Sequence, residues 1–364
     1  MSFERDNIHR MQGYASGEQP DDDNTIKLNT NENPYPPAPA VQDVLSGFDP
    51  ASLRRYPPPT ANAFRDIAAA LHGVERDNLI ATRGGDELLR LLITTFVDPG
   101  EYIAMSTPSY SLYPVLSQIQ DCPILQIPLG DDWSLAEDFC QQVNAQGAKL
   151  TLIVNPHAPS GRLLDRDQIA HLAANLNSVL LIDEAYIDFV DPELNHDCLS
   201  LIQQFDNLVF LRTLSKGYGL AGLRFGYGIA TAALIQPMLE KTRDSYNLDL
   251  LSQTIACAAL QAQAYAQHTW QQVRLERQRL AAALRRMGLT PADSQANFLL
   301  TTIPASGTID AAGLYQALKA DGILVRYFDQ PRLSDKLRLT IGTPTENDQL
   351  LACIAKHLTN PNNV

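Results

Sequence analysis

Phe205–Ala230, FDNLVFLRTLSKGYGLAGLRFGYGIA, decides how this chain reads. Leu208–Leu211 is a short unbroken apolar run, which suits a strand buried on both faces. A polar turn follows, holding Thr213, Ser215 and Lys216. Glycines at 217, 219 and 222 come next, and Arg224 leads into a second apolar strand, Phe225–Ile229. A lysine at a strand-to-turn boundary is ordinarily a solvated cation. Here the flanking apolar runs predict burial, and a buried ammonium loses proton affinity and becomes a usable nucleophile and base. The hydroxyls of Thr213 and Ser215 can donate to a phosphate and still fit a tight turn. Arg224 offers the planar fork that suits a phosphate or a carboxylate. Lysine, hydroxyls, arginine and glycines together describe a Schiff-base lysine beside an anion cup, the arrangement that pyridoxal phosphate requires.

Outward from this stretch, strand and helix alternate. Strands are expected at Leu79–Thr82, Tyr102–Met105, Ile124–Ile127, Leu150–Val154 and Val179–Ile182, helices at Ala61–Leu71, Asp86–Phe96, Tyr110–Ile119 and Arg166–Leu176. Thr60 is the expected N-cap of the first helix. Runs such as TLIV, SVLLI and NLVFL are continuously apolar, as in strands covered on both faces of a mostly parallel sheet. Ala232–Lys241 reads as a helix, and residues 249–287 as a long helical connector. The rhythm then changes to a smaller α/β unit: strands Asn297–Thr302, Ile323–Tyr327 and Lys336–Ile341, helices Asp310–Ala320 and Glu346–His357.

The fold class is therefore α/β: a large domain whose mostly parallel central sheet is sandwiched by helices, plus a smaller C-terminal α/β domain. The expected division is an N-terminal arm with a small-domain contribution (1–55), a large cofactor-binding domain (56–250), a connecting helix (251–288) and a small C-terminal domain (289–364). Residues 1–30, polar and acidic with DDDN at 21–24, read as an arm that gains order on the body or on a second subunit.

Composition narrows the partners. With 41 acidic and 28 basic residues the net charge is −13, which disfavours nucleic acid and anionic membrane, both of which select basic surfaces. Any anionic ligand must then be held by a few arginines that concentrate positive potential locally. No apolar run is long enough to span a bilayer, and MSFERDNIHR lacks the apolar core of a signal peptide, so a cytoplasmic protein is expected. Five scattered cysteines without C-x-x-C predict neither a disulfide framework nor a metal site.

Several further residues sit where chemistry belongs. Asp183 ends the strand VLLID, at the carboxyl end where α/β sheets place ligands. Asn155 ends LTLIV and opens NPHAPSG. Gly84-Gly85-Asp86 precedes a helix, where backbone N–H groups bind phosphate and glycine permits close approach. The Asp86 carboxylate would repel a phosphate, so its side chain is expected to turn away.

Together, TLSK with Arg eight residues on, and the ordered set Tyr110, Asn155, Asp183–Tyr186, Ser215–Lys216 and Arg224, resemble the fold-type I, class I/II aminotransferases. GYASGEQP (13–20), LNTNENPYPP (28–37), RYPPP (55–59) and ATRGGDELL (81–89) are most similar to the histidinol-phosphate branch. The resemblance implies pyridoxal phosphate on Lys216, its ring nitrogen facing Asp183 and its phenolic oxygen facing Tyr186 and Asn155. It implies Tyr110 stacked on the ring, Gly85, Asp86, Thr213, Ser215 and Arg224 around the phosphate, and Tyr56 reaching that phosphate from the other subunit of a homodimer. Arg338 and Arg326 would hold the anionic end of the substrate, with Tyr14, Asn33 and Tyr246 in the pocket. The implied partners are a small amino donor and a 2-oxo acid acceptor, namely histidinol phosphate and 2-oxoglutarate. An aromatic or broad-specificity aminotransferase, a threonine-phosphate decarboxylase on the same scaffold, or a non-catalytic module are the alternatives. Two loops depart from the family pattern: NPHAPSG stands for NPNNPTG, and NPYPP for an NPYG-type turn.

Overall fold

The computed structural model describes residues 2–22, 24–305 and 307–359. Met1, Asp23 within the acidic run, Ser306 and residues 360–364 lie outside the described residues. Among the described residues thirteen strands follow in chain order: β1 (Ile26–Lys27), β2 (Leu79–Thr82), β3 (Ile103–Thr107), β4 (Ile124–Pro128), β5 (Leu150–Val154), β6 (Val179–Asp183), β7 (Leu208–Thr213), β8 (Gly226–Ala230), β9 (Thr290–Pro291), β10 (Phe298–Thr302), β11 (Ile323–Leu324), β12 (Arg326–Tyr327) and β13 (Lys336–Thr340).

Seven of them form one sheet in the order β2-β8-β7-β6-β5-β3-β4. β8 runs antiparallel to both its neighbours, and the remaining pairs are parallel. The apolar runs explain why. In β7, Leu208 and Phe210 enter the core on one face, where helices Asn62–His72, Arg166–Asn175 and Leu250–Gln261 pack. Val209 and Leu211 enter the core on the other face, against helices Gly84–Phe96, Leu112–Ile119 and Ala232–Pro237. A strand covered on both sides has no face to give to polar residues.

Register then places the chemistry. Val154 of β5 pairs with Asp183 of β6, and Asp183 with Leu211 of β7. The polar residues that end these strands therefore emerge side by side at the carboxyl edge of the sheet, the edge that open α/β sheets use for ligands.

A second sheet, β12-β13-β10-β9, belongs to the smaller unit, and helices Gln263–Arg286, Ala311–Ala320 and Pro344–Leu358 share its core. The N-terminal arm is tied to the body of its own chain. Arg5 and Asn7 donate to the carbonyls of Ile119 and Gln118, each at 2.8 Å, and β1 pairs in parallel with β11.

Four expected elements differ, one of them the helix Ala232–Lys241, which is α-helical only over Ala232–Pro237 and continues as a π-helical turn over Met238–Thr242. Thr60 is not a cap: Ala61 holds the N-cap position with φ 48°, and the Thr60 hydroxyl goes to Asn62 Oδ1 at 2.8 Å. The long connector is two helices broken at Ala262, because the Gln263 side chain takes the Leu260 carbonyl at 2.7 Å. Ile323–Tyr327 divides at buried Val325, giving β11 to β1 and β12 to β13. Among the described residues the five cysteines are free. Cys353, His357 and Asp321 gather closely, with the Lys356 ammonium 2.8 Å from the Asp321 carboxylate.

Helix Gly84–Phe96 lies directly on β8, which requires glycine there. A Cβ on Gly226 would sit 2.7 Å from the Gly84 carbonyl carbon and 2.9 Å from the Gly85 nitrogen, both backbone atoms that cannot rotate aside. Gly226→Ala is therefore expected to cost about 1–3 kcal/mol in urea unfolding, the usual penalty of overpacking, and to lift the start of this helix from the sheet.

Candidate active site

A cavity of about 570 Å³ opens above the carboxyl edge of the large sheet. β6, β7 and the loops after them supply Asp183, Tyr186, Thr213, Ser215 and Lys216. The helix start at Gly85 and the loop at Tyr110 form one wall, the arm brings Tyr14 and Asn29–Glu32, and the smaller unit brings Arg326 and Arg338.

Lys216 stands one residue past Ser215, where the chain turns off β7. Its Nζ donates to the Thr30 carbonyl at 2.7 Å and lies 6.0 Å from the centre of the Tyr186 ring. Burial lowers its pKa to about 8. Glu32 opposes that shift, while Arg338, Lys27 and Arg224 add to it. An ammonium so placed gives up its proton at mildly basic pH.

Asp183 is 5% exposed. Tyr113 Oη donates to its Oδ2 at 2.9 Å, and the Ala185 N–H to its Oδ1 at 3.1 Å. Burial raises its pKa to about 6 against the pull of these two hydrogen bonds. A cationic N–H beside it would restore the charged form. Tyr186 accepts from Asn31 Nδ2 at 3.0 Å and meets Phe298 edge-on.

At the other side an anion cup is laid out. Thr213 Oγ1 donates to Ser215 Oγ at 3.0 Å, and Arg224 Nη1 reaches the same oxygen at 3.3 Å. Arg224 adopts φ 57°, a left-handed conformation that costs a non-glycine residue energy and marks functional turns. Tyr110 stands edge-to-face with Tyr14 and Tyr113, at 6.0 and 5.5 Å between ring centres.

Arg326 and Arg338 are directly paired across β12 and β13. Like charges directly opposite one another on a sheet destabilise it. Both guanidinium groups lie over the Phe328 ring, at 5.1 and 5.5 Å. Arg338 donates to the Asn29 carbonyl at 3.0 Å, while its buried Nε has no partner among the described residues. Burial holds its pKa below the usual guanidinium value, and Arg326 pushes it the same way. An anion between the two forks relieves both costs.

Other residues fall elsewhere. The Asn155 side chain spans Leu164, accepting from its N–H at 2.7 Å and donating to its carbonyl at 3.2 Å, and does not line the cavity. Asn33 donates to the Gly217 carbonyl at 2.9 Å. Tyr56 and Tyr246, 80% and 47% exposed, stack on each other at 4.5 Å away from the cavity. The Asp86 side chain does not turn away. It accepts from Arg224 at 3.3 Å and from Tyr110 Oη at 3.4 Å, drawn by the nearest guanidinium and by the positive end of its own helix. Tyr113, Asn31 and Ser109 were not singled out from sequence. Tyr113 had a signal, its i+3 spacing from Tyr110 at a helix start. Asn31 had none, because its partner is 155 positions away.

These groups fit pyridoxal phosphate. A buried acid with raised proton affinity suits a pyridinium nitrogen, a lysine with lowered affinity suits an aldehyde, and hydroxyls with an arginine at a helix start suit a phosphate. Ser109 Oγ, buried on the cavity wall without a partner among the described residues, is a further unused donor.

Because the folded pKa of Asp183 lies above its unfolded value, the folded apoprotein holds an extra proton between about pH 4 and pH 6. Stability is then greatest below that window and falls as pH rises through it, by about 3 kcal/mol at ~1.4 kcal/mol per unit. Asp183→Asn removes this titration while keeping the shape. Its apoprotein is expected to outlast the unsubstituted one in urea at pH 7 by up to that amount, with the difference closing by pH 4.

A family profile described as aminotransferase class I and II matches residues 23–354. The histidinol-phosphate aminotransferase of Microcystis aeruginosa is 41% identical over 355 residues, spanning 96% of this chain and 97% of that relative. The crystal structure of histidinol-phosphate aminotransferase from Sinorhizobium meliloti in complex with pyridoxal-5'-phosphate superposes with a TM-score of 0.85 at 24% identity, over 92% of this chain and 90% of that one. That of L-threonine-O-3-phosphate decarboxylase from Porphyromonas gingivalis gives 0.78 at 20% identity, over 92% and 100%. A family match running nearly end to end, and high identity to a relative covered almost whole, establish that the chain belongs to the aminotransferase class I and II family.

Proposed function

We propose that this chain is a pyridoxal phosphate-dependent transaminase that converts L-histidinol phosphate and 2-oxoglutarate to imidazole acetol phosphate and L-glutamate. The observation that carries the substrate class is the cross-strand pair Arg326 and Arg338 at the cavity. Two forks can hold a substrate phosphate and, in the second half-reaction, a carboxylate. The 41% identity to a histidinol-phosphate aminotransferase supports the same substrate. The fold does not, since it also carries a threonine-phosphate decarboxylase.

Bound pyridoxal phosphate supplies an aldehyde for the donor's amine and a protonated ring that takes up the electron pair left at Cα. The chain's residues do the rest. Thr213, Ser215, Arg224 and the N–H groups of Gly85 and Asp86 hold the phosphate. Asp183, kept in place by Tyr113, keeps a proton on the ring nitrogen. Tyr186 would serve the phenolic oxygen and Tyr110 would line the ring face, while Asn155, held by Leu164, braces the wall behind them. Lys216, largely free of its proton at mildly basic pH, takes the proton from the donor's Cα and would return it to the cofactor carbon that carried the aldehyde, on the far side of the donor's nitrogen. Tyr14 completes the donor's pocket, and Asn33 holds the Gly217 carbonyl next to Lys216. The exposed stacked pair Tyr56–Tyr246 faces a second copy in a homodimer, through which Tyr56 reaches the partner's phosphate site. No helix among the described residues is long and apolar enough to cross a membrane, in keeping with a cytoplasmic enzyme.

The test is a donor screen on the cofactor-loaded protein. The long-wavelength cofactor absorbance should bleach with histidinol phosphate and return with 2-oxoglutarate. Preferential bleaching by phenylalanine would favour an aromatic aminotransferase, and carbon dioxide release from threonine phosphate a decarboxylase. Lys216→Ala should lose at least ~10²-fold in turnover, the scale of general base catalysis. Arg338→Ala should raise KM for histidinol phosphate by about 10- to 100-fold, the scale of a hydrogen bond to a charged group. Unchanged turnover in the lysine variant would sink the assignment.

A further inference from the structure

His157 and Ser160 stand in the loop that departs from the family pattern, and neither has a part in the chemistry above. His157 is buried. Its Nε2 lies 3.0 Å from the Pro108 carbonyl oxygen. A carbonyl can only accept, so Nε2 carries the hydrogen. Nδ1 lies 2.8 Å from Ser160 Oγ. With the hydrogen on Nε2, a neutral ring must accept there, and the serine hydroxyl donates. Ser160 Oγ in turn accepts the Arg162 N–H at 3.2 Å. Burial holds the imidazole pKa down to about 4, and the positive charge of Arg332 pushes it the same way. Ring, tautomer and both partners are thus fixed together.

The two loops joined by this ring are both cavity walls. Pro108 is followed by Ser109 and Tyr110, which line the cavity, and His157 is followed by Ala158 and Pro159, which line it too. From outside, Trp133 lies 6.1 Å from the His157 ring. Arg332 covers the indole at 4.8 Å and donates to the Leu129 and Gly130 carbonyls at 2.5 and 2.7 Å. The indole, itself held by Arg332, thus backs the imidazole.

We propose that His157 is a positioning residue that, through the Pro108 carbonyl, sets the position of the Tyr110 ring over the cofactor. This rests on reading the cavity as a pyridoxal phosphate site. The serine at 160 is its necessary companion, because it satisfies the second ring nitrogen. The departure from the family pattern is then a change in how the two walls are braced, leaving the cofactor contacts in place.

The test is titration of pyridoxal phosphate into apoprotein, read by equilibrium binding and by the circular dichroism induced in the bound cofactor. His157→Leu removes both hydrogen bonds and should weaken binding by about tenfold, with loss of induced signal, as the half-buried Pro108 carbonyl and the buried Ser160 hydroxyl each lose a partner. His157→Gln keeps a donor within reach of Pro108 and should stay within about threefold of the parent. In a Tyr110→Ala background His157→Leu should add less than about twofold, since residues acting through one another do not add. Equal losses in both backgrounds, or none in either, overturn the proposal. If His157→Leu does not fold, Ser160→Ala is carried through the same cycle and judged by the same two outcomes. A parent chain that takes up no pyridoxal phosphate overturns the cofactor reading itself, before any variant is compared.

Discussion

An acid and an amine, both kept short of water at the carboxyl edge of one sheet, govern this molecule. Asp183 ends β6 and Lys216 follows β7, and these strands are neighbours in register. Burial shifts the two groups in opposite directions in pKa, the acid up to about 6 and the amine down to about 8. Each is thereby left in want of what the other side of a phosphorylated pyridine aldehyde provides. Neither shift would exist on a solvated edge, so the chemistry depends on the layers of helix that keep the sheet dry.

That dryness has a structural cost, and the fold meets it with specific devices. β8 carries Gly226 and Gly228 so that helix Gly84–Phe96 can lie close enough to offer its first N–H groups to the cavity. Arg224 takes a left-handed backbone so that its guanidinium can turn back toward Ser215. Arg326 and Arg338 face each other across two strands, a repulsion stored where an anionic substrate would relieve it. These are local compromises at the site, while the two cores behind it follow ordinary rules of packing.

Much of the fold was legible in the chain because β5, β6 and β7 are short apolar runs bounded by polar turns, and such runs suit few structures other than a strand covered on both faces. The bounds of Leu79–Thr82 and Leu150–Val154 came out as read. Lys216, Asp183, Ser215 and Arg224 were legible for a related reason: each stands at or just beyond a strand end, where a parallel sheet exposes side chains to a ligand. Elements whose ends depend on a distant partner were read less well. Ile323–Tyr327 looked like one strand because nothing local shows that β1, nearly 300 positions upstream, pairs with its first half.

The amino-acid order alone determined the layered α/β class, the gathering of Lys216, Asp183, Ser215 and Arg224 at one edge of the sheet, and the acidic background against which a few arginines must work. Those features follow from periodicity and from chemistry within a few residues. Only tertiary structure decided that Asn31 meets Tyr186, that Tyr113 braces Asp183, that Asp86 turns toward Arg224, and that His157 spans two walls of the cavity. Each of those contacts joins segments far apart in the chain. A contact of this kind is set by how layers pack and where loops cross, and packing is a property of the whole core.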